Sequence, residues 1–314
     1  MPTNWTLESI PPHDFFLCLD VNEYFDYEHD PNDIFENGFI RSVPIGDQDV
    51  LVTIFFNGDP ESPSFSIHCP DSLTKNEIDE ANKSLARILG TNLDLRPLYD
   101  QAAKDPVLGP NLMEFYGLKR MSRANIFEDS VNRIIQTQIK HKPTARKMVF
   151  GVREAYSRIL THQGKSIPTW PRPSDIVGAD PVAMKKHGLS LRKGEYLVGL
   201  ADKFVSGELD MTKLETAAPT EFYDTMTSVR GVGPTTAQDL MLSRNRTDAC
   251  FPSNKNGGKE HGLRRWVIYS YGGDPDNISE EGFQDMIKSW KGYEACAIEF
   301  LYMHYIVSER KRGK

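Results

Sequence analysis

Between Gly38 and Pro70 apolar and polar residues alternate, and turn-forming residues interrupt the alternation. The runs FIRSVPIG, DVLVTIFFNGDPESP and SFSIHC are rich in Val, Ile, Thr and Phe, which predicts an antiparallel sheet of at least three strands. NEIDEANKSLARILG (76–90) follows with apolar residues at helical spacing and a glycine stop. Sheet and packed helix together predict a small α+β domain over residues 1–94.

Past about residue 95 the strand pattern gives way to helical spacing. LRPLYDQAAKDPVLGPNLMEFYG, NIFEDSVNRIIQTQI, TARKMVFGVREAYSRIL, DPVAMKKHG, RKGEYLVGLADKFVSG, GLRRWVIYSYG, SEEGFQDMIKSW and YEACAIEFLYMHYIVSE each read as helical. Short linkers make residues 95–314 one compact all-α unit, so the fold class is α+β with an all-α second part. IPTWPRPSD (167–175) reads as a surface connection. The basic runs KRMSR (119–123) and ERKRGK (309–314) read as a solvated helix end and a frayed terminus.

Composition adds little, but the distribution of charge adds something. With 39% hydrophobic and 26% charged residues the chain is an ordinary globular one. The net charge of −7 conceals an asymmetry. Residues 1–118 hold 6 Lys and Arg against 21 Asp and Glu, a net −15, whereas residues 119–314 hold 31 against 23, a net +8. A polyanionic partner therefore suits the C-terminal part. The four cysteines (Cys18, Cys69, Cys250 and Cys296) form no C-x-x-C pair, which argues against zinc, an iron–sulfur cluster or a disulfide framework. No apolar run has membrane-spanning length, and the first residues lack a signal-peptide pattern, so the expected location is cytoplasm or nucleus.

The strongest local signal is TEFYDTMTSVRGVGPTTAQDLML (220–242). Phe222, Met226 and Val229 mark one face of a first helix, and Ala237, Leu240 and Met241 a face of a second. Between them, Gly231 and Gly233 permit positive φ and close backbone approach, and Val232 plugs the turn into the core. Pro234 suits the first position of the second helix, whose free N–H groups point outward. A DNA phosphate can dock there on the backbone of Gly231, Val232, Gly233, Thr235 and Thr236.

With this hairpin the chain resembles the helix-hairpin-helix DNA glycosylase superfamily, most closely its 3-methyladenine DNA glycosylase II branch. IFEDSVNRIIQTQI, HGLSLRKGEYLVGLA (187–201), VRGVGPTTA, TDACFP (247–252) and KSWKGYEACAIEFLY (288–302) match that branch in order and spacing over roughly residues 95–305. The resemblance implies two helical lobes around a cleft, a monomer acting on duplex DNA containing damaged bases, and excision of a flipped alkylated purine. An oxidised-base glycosylase and a catalytically impaired DNA-binding homologue are the alternatives.

Residue by residue, the resemblance carries over unevenly. Thr235 stands where bifunctional relatives have a nucleophilic lysine, which implies a monofunctional reaction with water. Thr235 and Asp239 fall where two pocket aromatics are expected, and Tyr302 on the last helix remains to stack a base. The wedge position is Gln138. No cofactor is required, although the carbonyls of Thr227, Val229 and Val232 correspond to those that hold a monovalent cation (sodium or potassium) in the family.

The family's catalytic aspartate follows a segment like TDACFP and opens the next helix. Counting forward from Pro252 reaches Asn254, whereas counting back from Gly262 reaches Glu260. The polar, glycine-bearing insertion between them separates the two answers. Asn254 is neutral and cannot stabilise a cation by charge. Glu260 has the charge at a helix N-terminus and is the preferred catalytic carboxylate. Asp239 and Asp248 are held in reserve, with Asp248 expected to pair locally.

Overall fold

A computed structural model describes the backbone of residues 1–21 and 33–312, with side chains described for 1–19 and 33–305. The side chains of the ERKRGK tail lie outside the described residues.

The N-terminal part is a five-stranded antiparallel sheet in the order β1-β5-β4-β3-β2. Its strands are β1 (Thr3–Glu8), β2 (Ile34–Phe35), β3 (Gly38–Ile45), β4 (Gln48–Asn57) and β5 (Ser64–Cys69). The three expected strands form its centre. β1 adds to β5 with Trp5 opposite Ile67, and β2 adds to β3. Phe15, on the short helix α1 (Phe15–Val21), stacks on Phe39 and Phe56 and meets Phe65 edge-on, which fills the inner face.

Helix α2 (Lys75–Leu89) closes that face. Thr74 and Glu77 form a capping box at its start, and Gly90 ends it in the left-handed conformation at φ 69°. Two short helices, α3 (Arg96–Ala102) and α4 (Leu108–Glu114), lead into the buried α5 (Ile126–Gln136). The acidic first turn of α5 joins the sheet part to the helical part. Glu128 pairs with Arg41 of β3 at 2.8 Å, and Asp129 pairs with Arg87 of α2 at 2.6 Å, all four groups being buried. Buried pairs of this kind fix geometry more than they add stability, because desolvation offsets most of the attraction.

Beyond α5 come α6 (Lys142–Tyr156), a strand pair β6 (Ile159–His162) and β7 (Lys165–Pro168), α7 (Pro173–Ile176) and α8 (Leu191–Val205). The segment DPVAMKKHG forms a 3-10 turn over Ala183–His187. Next follow α9 (Met211–Thr216), α10 (Pro219–Thr227), α11 (Pro234–Leu242), a small hairpin of β8 (Lys255–Asn256) and β9 (Lys259–Glu260), α12 (Gly262–Ser270), α13 (Glu280–Met286) and the long α14 (Glu294–Arg312).

Three expectations need correction. The helix read through SRIL ends at Tyr156, and Ile159 begins a strand because Gln163 and Gly164 turn the chain back at φ 49° and 79°. IPTWPRPSD is not a surface connection throughout. Trp170 is 3% exposed and carries the guanidinia of Arg123 and Arg153 at 5.0 and 4.9 Å from its ring centre. KRMSR is not a solvated helix end either: Lys119, Met121, Ser122 and Arg123 are buried, and Arg123 pairs with Asp129 at 3.3 Å.

Candidate functional site

The hairpin joins α10 to α11. Phe222, Met226, Val229, Val232, Ala237 and Leu240 are all buried, so both helices and the plug pack into one core. Gly231 has φ 97°, and a Cβ there would lie 2.4 Å from the Tyr196 ring. Only glycine meets both conditions. Gly233 differs: a Cβ there would meet nothing within 4 Å, so this backbone faces open space. Pro234 opens α11, Thr235 is exposed beside it, and Thr236 is buried. Exposed N–H groups at a helix start, with room in front of them, can bind a phosphate. The Val229 carbonyl, one of the three considered for a cation, accepts the Val232 N–H at 3.0 Å. Thr227 ends α10, with its hydroxyl donating to the Tyr223 carbonyl at 2.8 Å. Among the described residues no cluster of His, Cys, Asp and Glu suits a metal ion.

Gln138 stands in the turn after α5, exposed and with φ 65°. A non-glycine residue in the left-handed region is uncommon and requires support. Lys193, near the start of α8, supplies it by donating to the carbonyls of Ile135 and Thr137 at 2.6 and 2.8 Å. Burial lowers the Lys193 pKa from its ordinary value.

A cleft of about 450 Å³ opens between α5, α11, α12 and α14. Trp266 and Tyr302 meet edge to face at 6.3 Å on its wall, and Met121, Leu240 and Met303 add apolar surface. Opposite charges stand on the same wall, where Arg133 of α5 lies 3.2 Å from the Asp239 carboxylate of α11. Asn132 and Gln136 also line the cleft, joined by a 2.7 Å hydrogen bond. The volume and the mixture of aromatic and paired polar groups suit a planar heterocycle.

Tyr302 and Asp239 thus share the cleft, whereas Thr235, Gln138, Asn254 and Glu260 are not among its lining residues. The insertion before α12 is an ordered hairpin. Gly257 and Gly258 both have positive φ, 60° and 80°, as a two-residue turn between β8 and β9 requires. The turn brings Glu260 back beside Ser253 and Asn254. Glu260 is 0% exposed, accepts from the Ser253 hydroxyl at 2.6 Å and from the Asn254 N–H at 2.5 Å, and lies 3.7 Å from Arg264. Both of its oxygens are therefore engaged by local donors. Asp248 pairs with Arg246 at 2.7 Å.

Trp266 of the cleft and Gln238 behind the start of α12 had no local sequence signal. Trp266 lies one turn after Leu263 on α12, and an aromatic in GLRRWVIYSY reads equally well as core. Gln238 is buried, and its side-chain carbonyl accepts the Leu263 N–H at 3.3 Å, which ties the hairpin to the start of α12. Gly262 makes that approach possible, since a Cβ there would lie 2.8 Å from the Gln238 oxygen.

No protein-family model matches the chain. Over 209 residues, 67% of each protein, it is 24% identical to a DNA-3-methyladenine glycosylase of Bacillus subtilis (strain 168). Its fold matches that of the 3-methyladenine DNA-glycosylase from Archaeoglobus fulgidus with a TM-score of 0.73 at 21% identity, covering 96% of this chain and 97% of the other. The Clostridium acetobutylicum 8-oxoguanine glycosylase/lyase, solved with double-stranded DNA containing cytosine opposite 8-oxoG, matches with a TM-score of 0.69 at 15% identity and 98% coverage of both chains. Sequence similarity, a fold shared end to end and the glycine hairpin agree: the chain resembles the helix-hairpin-helix DNA glycosylase superfamily in sequence and shares its fold.

Proposed function

We propose that this protein is a monofunctional DNA glycosylase that removes alkylated purines from duplex DNA. Its relatives named for 3-methyladenine and for 8-oxoguanine support glycosylase action alike, so the choice of base rests on the chemistry of this chain. The observation that carries it is the aromatic cleft against the hairpin, combined with a neutral Asn254 and a Glu260 whose two oxygens are engaged by Ser253 and Asn254.

Cleaving an N-glycosidic bond develops positive charge on the sugar, which a nearby carboxylate can stabilise. Where that carboxylate is weak or absent, the leaving group must supply the driving force. A purine alkylated on N3 or N7 is already cationic and leaves as a neutral base; 8-oxoguanine is not. Among the described residues none of those lining the cleft is a lysine, and Thr235 takes the hairpin position, so water rather than an amine attacks the sugar.

The hairpin docks phosphates on the N–H groups around Gly231, Gly233 and Thr235, and Gln138 enters the helix to fill the vacated space. A monovalent cation on the carbonyls of Thr227, Val229 and Val232 belongs to the same reading. Asn254 also favours a second reading, a homologue that binds duplex DNA without excision.

One assay separates these readings. Duplex treated with a methylating agent should lose free methylpurines, and duplex with 8-oxoguanine opposite cytosine should stay intact. Comparable release of 8-oxoguanine would overturn the leaving-group argument. Intact duplex binding with no release from either would favour the second reading.

A further inference from the structure

Arg244 follows the end of α11 and is 2% exposed, yet among the described residues it forms no ion pair. Its Nη1 donates to the carbonyls of Leu214 and Ala217 at 3.1 and 2.6 Å, and its guanidinium lies 4.3 Å from the centre of the Phe222 ring. Nε and Nη2 are buried without a hydrogen-bond partner. Burial lowers the Arg244 pKa to about 10, and the charge of Arg246 adds to the drop.

The neighbouring arginines already have carboxylates. Arg246 holds Asp248 at 2.7 Å, Arg120 pairs with Glu299, and Arg87 of α2 pairs with Glu215 and Asp129 at 2.7 and 2.6 Å. Arg87 still leaves its Nη2 buried and without a partner. Glu294 of α14 accepts the N–H groups of Gly292 and Ala249 at 3.0 and 3.4 Å and faces elsewhere. Arg244, Arg87, Lys119 and the buried Cys296 of α14 line one cavity of about 10 Å³, room for a single water-sized occupant.

A guanidinium held charged in the interior requires compensation. Asn245 lines the same cavity with an amide oxygen that lacks a partner, and a water would bridge it. Water, however, leaves the positive charge of Arg244 unanswered. An anion accepts from Nε and Nη2 and also cancels that charge. Phosphate and sulfate are too large for the space. We propose that this cavity binds one monatomic anion of the halide class between Arg244 and Arg87, chloride being the abundant member of that class. The site is independent of the glycosylase reading. It lies where the segment after α11 meets α2 and α14, so its occupant ties the end of the hairpin helix to both.

The test uses the full chain at pH 7, below the Lys119 pKa of about 8. Thermal unfolding is followed as sodium chloride replaces sodium gluconate, whose anion cannot enter the cavity, at constant total salt. The midpoint should rise and level off, by about 2 °C once chloride reaches ten times its dissociation constant. In Arg244→Met the saturating rise should vanish. Crystals grown in sodium bromide should show an anomalous peak between Arg244 and Arg87. A midpoint that stays flat, or that drifts linearly and alike in both proteins, would overturn the site. A saturating rise that persists in Arg244→Met would place the anion elsewhere and overturn it too. If Arg244→Met does not fold, the bromide crystals decide: an anomalous peak in the cavity supports the site, and an ordered water without anomalous signal overturns it.

Discussion

The ammonium of Lys193 donates a 2.6 Å hydrogen bond to the carbonyl oxygen of Ile135 in the last turn of α5. A second bond, to Thr137, places the same cation at the negative end of that helix. Gln138 follows immediately in its left-handed conformation. The clamp fixes where α5 stops and therefore where Gln138 projects.

Replacing Lys193 with Met should leave the helices packed but release this turn. Loss of hydrogen bonds from a charged donor costs about 1.5–3 kcal/mol, so the unfolding midpoint should fall by roughly 2–5 °C for a chain this long. If Gln138 is the wedge proposed above, base excision should fall further, by about tenfold or more, because that wedge loses its support. A fluorescent adenine analogue beside the lesion reports flipping directly. A variant that flips and excises like the wild type would remove Lys193 from this role.

Glu260 offers a cleaner division between structure and chemistry. Its oxygens hold the Ser253 hydroxyl and the Asn254 N–H, with Arg264 close by. Glu260→Ala strands buried partners and should cost about 3–5 kcal/mol. Proteolysis of the 253–261 segment should rise with it. Glu260→Gln keeps the shape, so the catalytic and bracing roles diverge there. A brace predicts that excision by folded Glu260→Gln stays within severalfold of wild type. A loss of about two decades at unchanged stability would make Glu260 the catalytic carboxylate after all.

How much of this was legible depends on the range of the interaction. The central strands β3, β4 and β5 and the hairpin at Gly231 announce themselves through alternation and glycine spacing, which are properties of short windows. β1 carries the same alternation but gains meaning only from β5, more than fifty residues away. SRIL continues an apolar pattern that suits helix or strand equally, and the Gln163–Gly164 turn decides it. The KRMSR cations look solvated because Asp129 and Trp170, which cover Arg123, are distant or ambiguous in sequence. The cleft is nonlocal altogether, since Arg133 and Asp239 come from helices separated by about half of the helical part. Glycines 257 and 258 were visible as an insertion, but that they return Glu260 to Asn254 was not.

The two hairpin glycines should respond oppositely to alanine. Gly231→Ala places a Cβ against the Tyr196 ring at a φ of 97°, so it should destabilise the fold by about 1–3 kcal/mol. Gly233→Ala meets nothing within 4 Å and has a φ of −86°, so stability should hardly change. That methyl would nevertheless intrude on the phosphate site proposed at the hairpin. Titrations of damaged and undamaged duplexes should show equal weakening by Gly233→Ala, because phosphates carry no sequence. Weakening confined to damaged duplex would move the site away from the hairpin.

Lys119 sets a pH dependence that surface lysines do not. It is 1% exposed, donates to the Ile10 carbonyl at 2.6 Å, and burial brings its pKa down to about 8 from 10.5. Cys18, Cys296 and Asp94 face it and limit the drop, while Arg96 adds to it. Between pH 8 and 9 the unfolded chain keeps the Lys119 proton and the folded chain has released it. For Lys119 the unfolded state then binds more protons, so this group alone adds about 1 kcal/mol of stability across that unit. The thiols oppose it: burial raises Cys18 and Cys296 to about 12 and Cys250 to about 11, and raises Cys69 as well, so they stay protonated in the fold while the unfolded chain loses their protons around pH 9. Urea unfolding at half-unit steps from pH 7.5 to 10 should therefore show a nearly flat stability between pH 8 and 9 and a decline above it. Lys119→Met should remove the Lys119 gain, so that its stability falls with pH already from pH 8. An unchanged profile in that variant would mean that another group releases its proton there, and that Lys119 stays charged within the core.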